Sequence, residues 1–85
     1  MADFNRAIAL DPNNTIFYHN RGFCYRNSGD YENAVADYTR AIALNPNNSA
    51  AYNNRGFAFR KLGRFVWHLG LLIQGFGSGF ELVRQ

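Results

Sequence analysis

Cysteine is nearly missing from this chain: Cys24 stands alone among 85 residues. A single thiol excludes an internal disulfide and favours a reducing compartment. Proline occurs only twice, at Pro12 and Pro46, and no run of basic residues exists. Arg6, Arg21, Arg26, Arg40, Arg55, Arg60, Lys61, Arg64 and Arg84 are scattered, which excludes a nucleic-acid arm and a polybasic membrane patch. Long apolar runs are missing too. The longest, Val66 to Phe76, is interrupted by His68, Gly70, Gln74 and Gly75, and falls short of the roughly 20 residues that span a bilayer. The first residues, Met1-Ala2-Asp3-Phe4-Asn5-Arg6, lack the basic-then-apolar order of a signal peptide. These absences make a cytoplasmic protein without a membrane span the default expectation.

Catalytic constellations are lacking as well. His19 and His68 lie far apart and neither has a second ligand at helical spacing. Cys24 has no accompanying His–Asp or His–Asn set, and its repeat mate is Ala58, so it reads as a packed thiol. The glycine run from Gly75 to Gly79 has no preceding strand and no following Lys-Ser/Thr, so it is not a phosphate loop. The expectation is a non-enzyme with no cofactor and no metal.

What is present is a repeat. Residues 13–31 read NNTIFYHNRGFCYRNSGDY and residues 47–65 read NNSAAYNNRGFAFRKLGRF, with nine of nineteen positions identical at an offset of 34. The same offset aligns DFNRAIALDPNN (3–14) with DYTRAIALNPNN (37–48), nine of twelve identical. One period from two segments defines a repeat architecture. Hydrophobic content of 47% is ordinary for a folded chain, and 85 residues allow one small domain.

Each unit reads as two helices. Asn14 and Asn48 suit N-caps, because a short side-chain oxygen can accept from an orphan first-turn N–H. The first helix then runs from about residue 15 to 28, and again from 49 to 62, with Gly29 and Gly63 as left-handed closing residues. Asp30 caps a second helix over 31–44, which Pro46 ends as Pro12 ends its predecessor. Tyr18, Gly22 and Tyr25 share one face, as do Ala34, Tyr38, Ala41 and Ile42. Glycine inside a helix costs roughly 1 kcal/mol relative to alanine, so the recurrence of Gly22 as Gly56 predicts close helix approach.

The pattern Tyr18, Gly22, Tyr25, Gly29, Ala34, Tyr38, Ala41, Pro46 resembles the 34-residue tetratricopeptide repeat. The preceding half-unit supplies Phe4, Ala7 and Pro12, and the following one Tyr52, Gly56, Phe59 and Gly63. The resemblance covers residues 3–65 and implies an all-α fold of antiparallel helix hairpins, an α-solenoid. Residues 1–14 form a half repeat, 15–48 a full one and 49–65 the first helix of a third, followed by a divergent tail over 66–85. Arg21 and Arg55 depart from the family, which often has leucine there; an arginine stem can still cover apolar surface.

The resemblance also implies a function, since the first helix of each such repeat lines a concave, peptide-binding groove. His19, Asn20, Phe23 and Arg26 would present there, with Asn53, Asn54, Phe57, Arg60 and Lys61 from the next repeat. Carboxamides can pair with a peptide backbone, phenylalanines offer apolar contact, and the cations favour acidic side chains or a C-terminal carboxylate. The expected partner is an unidentified protein or extended peptide of acidic character. Tyr18-His19-Asn20-Arg21 is similar to part of the carboxylate clamp of the family's co-chaperones, but Ala50 and Asn54 stand where that clamp has lysine and arginine. A heat-shock partner is therefore not expected. An RNA-binding helical module is the second alternative, disfavoured by a net charge of only +3. A truncated piece that only self-associates or stacks on a longer array is the third.

After Phe65 the pattern breaks, with His68 and Gly75 where the repeat's alanines belong. Three readings of the tail stay open: an improvised capping helix over about 65–74, a disordered end, or a terminus with no selected role.

Overall fold

The computed structural model describes the backbone of residues 1–72 and the side chains of residues 1–63. Within them the fold is all-α. Four helices follow one another: α1 (Ala2–Leu10), α2 (Thr15–Asn27), α3 (Tyr31–Leu44) and α4 (Ser49–Leu72). Each packs on its sequence neighbour, and α2 also reaches α4, as stacked antiparallel hairpins do.

The helix boundaries follow from local chemistry. Asn14 Oδ1 accepts from the Ile16 N–H at 3.0 Å, and Asn48 Oδ1 from the Ala51 N–H at 3.0 Å. Asp30 does the same for Asn33 at 3.3 Å, opening α3. The closure of α2 rests on Gly29, whose φ of +84° only glycine adopts without strain. From there the Gly29 N–H reaches the Arg26 carbonyl at 3.1 Å and the Asp30 N–H the Tyr25 carbonyl at 2.9 Å, the paired bonds of a Schellman motif.

Gly63 behaves differently from Gly29. The sequence pattern predicts a second closure there, yet α4 continues unbroken for 24 residues, from Ser49 to Leu72. Gly29 is followed by Asp30, a residue able to cap the next helix, whereas Gly63 is followed by Arg64, which cannot. With no acceptor to start a new helix, continuing the ladder satisfies more backbone groups than breaking it. The capping helix expected over 65–74 thus becomes, as far as Leu72, part of α4 itself. The remainder of the tail expectation lies outside the described residues.

The core sits between α2, α3 and α4. Ala34, Tyr38, Ala41, Ala51 and Ala58 are fully buried, and Ile42 nearly so, with Tyr25, Tyr31 and Val35 packed against the cluster. Tyr38 is the largest fully buried side chain. Small residues dominate because the helix axes approach closely: a Cβ added to Gly22 would stand 3.1 Å from Tyr38 Cε1 and 3.2 Å from Asp37 Cβ. The expected close approach at Gly22 is real. Among the described residues the corresponding space at Gly56 is open, with only Arg60 Nη1 nearby at 3.8 Å. Two side-chain bonds tie the turns down. Thr15 Oγ1 donates to the Ala41 carbonyl at 2.8 Å, and the Tyr18 hydroxyl to the Pro12 carbonyl at 2.8 Å.

Candidate functional site

Of the residues expected to line a groove, Phe23, Arg26, Phe57, Arg60 and Lys61 come together. The Arg26 guanidinium lies 4.2 Å from the centre of the Phe57 ring and 5.6 Å from that of Phe23, so it joins α2 to α4. Arg60 stands 5.9 Å and Lys61 5.4 Å from the same Phe57 ring. The Tyr31 ring is a further neighbour of Phe57, 6.3 Å away and tilted by 58°. Three cations therefore gather on one aromatic ring, an arrangement that holds guanidinium and ammonium groups through the ring quadrupole.

Charge balance within this cluster is one-sided. Among the described residues the single ion pair is Arg21 with Asp37, elsewhere on the stack, so no carboxylate there neutralises Arg26, Arg60 or Lys61. Arg26 Nη1 donates to Asn27 Oδ1 at 3.1 Å, while its Nε is buried without a partner among the described residues. The cluster can thus offer donors and positive potential to an anionic group.

Asn20 and Asn53 are exposed, and Asn54 is half-buried. His19 is placed elsewhere. Its Nδ1 lies 3.2 Å from Asn48 Nδ2, and its ring meets the edge of Tyr38 at 5.5 Å and 73°. With the carboxamide nitrogen donating, Nδ1 accepts and the ring proton sits on Nε2. That half-buried imidazole braces the α3–α4 turn.

Arg21, expected from the sequence only to cover apolar surface with its stem, forms the strongest polar contact with Asp37, to which the sequence pattern gave no role. Arg21 Nε donates to Asp37 Oδ2 at 2.7 Å and Nη2 to Oδ1 at 2.8 Å, a two-pronged pair. Asp37 is buried, and the Arg21 guanidinium is held in its charged form above its usual range by that hydrogen bond. The signal was present in the recurrence of both residues at the 34-residue offset, as Arg55 and Asp3.

Burial also acts on Tyr38, pushing its phenol above the usual tyrosine range, and its hydroxyl has no partner among the described residues. Cys24 is a free, half-buried thiol. Among the described residues no group of His, Cys, Asp and Glu could hold a metal ion, and no helix is long and apolar enough to cross a membrane.

Stacked hairpins with an open aromatic–cationic face define a helical-repeat scaffold. Comparison with known families makes this specific. A tetratricopeptide-repeat model matches residues 4–36, and a second TPR-repeat model matches residues 24–63. The chain belongs to the tetratricopeptide repeat family. Repeats of this family are non-catalytic and generally mediate protein–protein interaction. No curated protein matches the chain.

Proposed function

We propose that this chain binds an extended, acidic segment of a partner protein across α2 and α4. The observation that carries this reading is the set of three cations gathered on the Phe57 ring, none of them ion-paired to a carboxylate among the described residues. Phe57 and the 44%-exposed Phe23 supply apolar contact, and Arg26 lies between them. Asn20, Asn53 and Asn54 flank the cluster on the same helices and offer both donors and acceptors to a peptide backbone. An extended peptide suits such a surface because its unpaired N–H and C=O groups need partners at regular intervals.

The experiment is a selection from a random peptide library on the 85-residue chain, with an Arg26→Gln/Arg60→Gln/Lys61→Gln variant as the counter-selection. Enrichment of Asp- and Glu-bearing peptides on the wild-type chain alone supports the reading. Peptides without acidic preference, or equal recovery on the variant, overturns it. A second arm replaces Asn20 and Asn54 with alanine; unchanged affinity for a selected peptide would remove the carboxamides from the binding surface.

A further inference from the structure

The two ends of the helical stack carry matching halves of one seam. Between α2 and α3 the seam is complete. Arg21 grips Asp37, its guanidinium lying 5.9 Å from each of the Tyr18 and Tyr25 rings, and Gly22 admits Tyr38. On α4 the same half-seam recurs 34 residues later. The Arg55 guanidinium sits 5.5 Å from the Tyr52 ring and 5.7 Å from that of Phe59. Arg55 Nη1 donates to Thr39 Oγ1 at 3.1 Å, as Arg21 Nη1 donates to Asn5 Oδ1 at 2.8 Å. Arg55 is therefore already posed like Arg21, but among the described residues no carboxylate meets it. Tyr52 is 45% and Phe59 51% exposed, where Tyr18 and Tyr25 are half-buried.

The complementary half lies on α1. Counting back 34 residues from Asp37, Tyr38 and Ala41 gives Asp3, Phe4 and Ala7. The three residues of α3 are buried, whereas Asp3 is exposed and Phe4 and Ala7 are half-exposed. Among the described helices α1 touches only α2.

We infer that α1 of one copy docks on α4 of another, with Asp3 entering the fork of Arg55 and Phe4 covering Gly56, so that the chain associates head to tail. Three observations name a second copy as the occupant. Segment 3–14 repeats segment 37–48 at nine of twelve positions, so α1 carries the surface that α3 already docks on α2. An exposed acid on one end answers an acid-lacking arginine on the other. Gly56 keeps the clearance that Gly22 uses for Tyr38, and among the described residues only the tip of the Arg60 side chain borders it. The contact is heterologous, so each copy that binds leaves the same two ends open. It does not use Phe57, Arg26 or Lys61, and of the cations on that ring only Arg60 borders it, so its test is separate from that of the peptide-binding proposal.

Light scattering after gel filtration, across a dilution series of the 85-residue chain, reads the association directly. Average mass should rise with concentration for the wild type. Arg55→Asp and Asp3→Arg should each lose that rise, because each brings like charges together at the joint. An equimolar mixture of the two should regain it, since each joint again pairs an acid with an arginine. Gly56→Ala keeps the test independent of folding: the helix should melt no lower than the wild type while the mass rise weakens. A wild-type chain that stays monomeric throughout overturns the inference. So does a mass rise that survives both charge reversals, or one that the mixture fails to restore.

Discussion

Tyr38 occupies the space that a side chain on Gly22 would need: its Cε1 lies 3.1 Å from where a Cβ would stand. The ring is fully buried and the adjoining Asp37 is held by Arg21, so neither neighbour can yield cheaply. Gly22→Ala should therefore destabilise the fold by about 1–2 kcal/mol, the overpacking cost exceeding the roughly 1 kcal/mol gained in helix propensity. Gly56→Ala, in open space, should instead stabilise by about 0.5–1 kcal/mol. Chemical denaturation of the two variants at one low protein concentration checks the opposite signs.

The Arg21–Asp37 pair is worth most to the fold when broken from one side. Arg21→Ala would leave a buried carboxylate unpaired and should cost about 3 kcal/mol. Arg21→Lys keeps the charge but loses the two-pronged geometry, and should fall between. Urea midpoints for the three proteins give the order wild type, lysine, alanine.

Tyr38 sets an alkaline limit. Burial raises its phenol in the folded state above the unfolded value of about 10. The neutral ring is the form that fits the core, so this contribution is intact below the unfolded value and is lost as pH climbs through the folded one. Tyr38→Phe also removes a buried hydroxyl with no partner, and should stabilise by about 1 kcal/mol at neutral pH. Melting curves between pH 8 and about 11 should show a shallower decline for the phenylalanine variant.

At the aromatic–cationic cluster, Phe57→Ala removes the ring that Arg26, Arg60 and Lys61 share. Affinity for an acidic peptide selected on the wild type should drop about tenfold, from lost aromatic contact and scattered charge. Titration at two salt concentrations checks the charge component: the wild type should lose affinity with added salt, as screened ion contacts do.

Much of the fold was legible because its determinants are local. The caps at Asn14, Asp30 and Asn48 and the left-handed Gly29 each act within a few residues. The alanine and glycine positions report helix clearance, and that too is a spacing property. Gly63 misled for an equally physical reason. The glycine alone does not force closure: at Gly29 the following Asp30 caps the next helix, whereas after Gly63 Arg64 supplies no cap and the helix runs on. At the candidate site, residue type foretold the cations and phenylalanines but not their partners. Arg26 reaches Phe57 on another helix, and His19 turns to Asn48 and Tyr38, choices set by how the helices cross. The Arg21–Asp37 fork spans sixteen positions, beyond any within-helix spacing rule, though its recurrence with the period was there to read.

Ala34, Ala41, Ala51 and Ala58 are all fully buried. Most proteins are damaged by shortening core side chains, but these four have almost nothing to shorten. Their vulnerability runs the other way: each added methylene has to find room in a cluster already filled by Tyr38 and Ile42, with Tyr25, Tyr31 and Val35 packed against it. Random substitution at such positions would cost roughly 1 kcal/mol toward glycine, from lost helix propensity, and more toward valine or leucine, a mutational profile inverted from that of an ordinary oily interior.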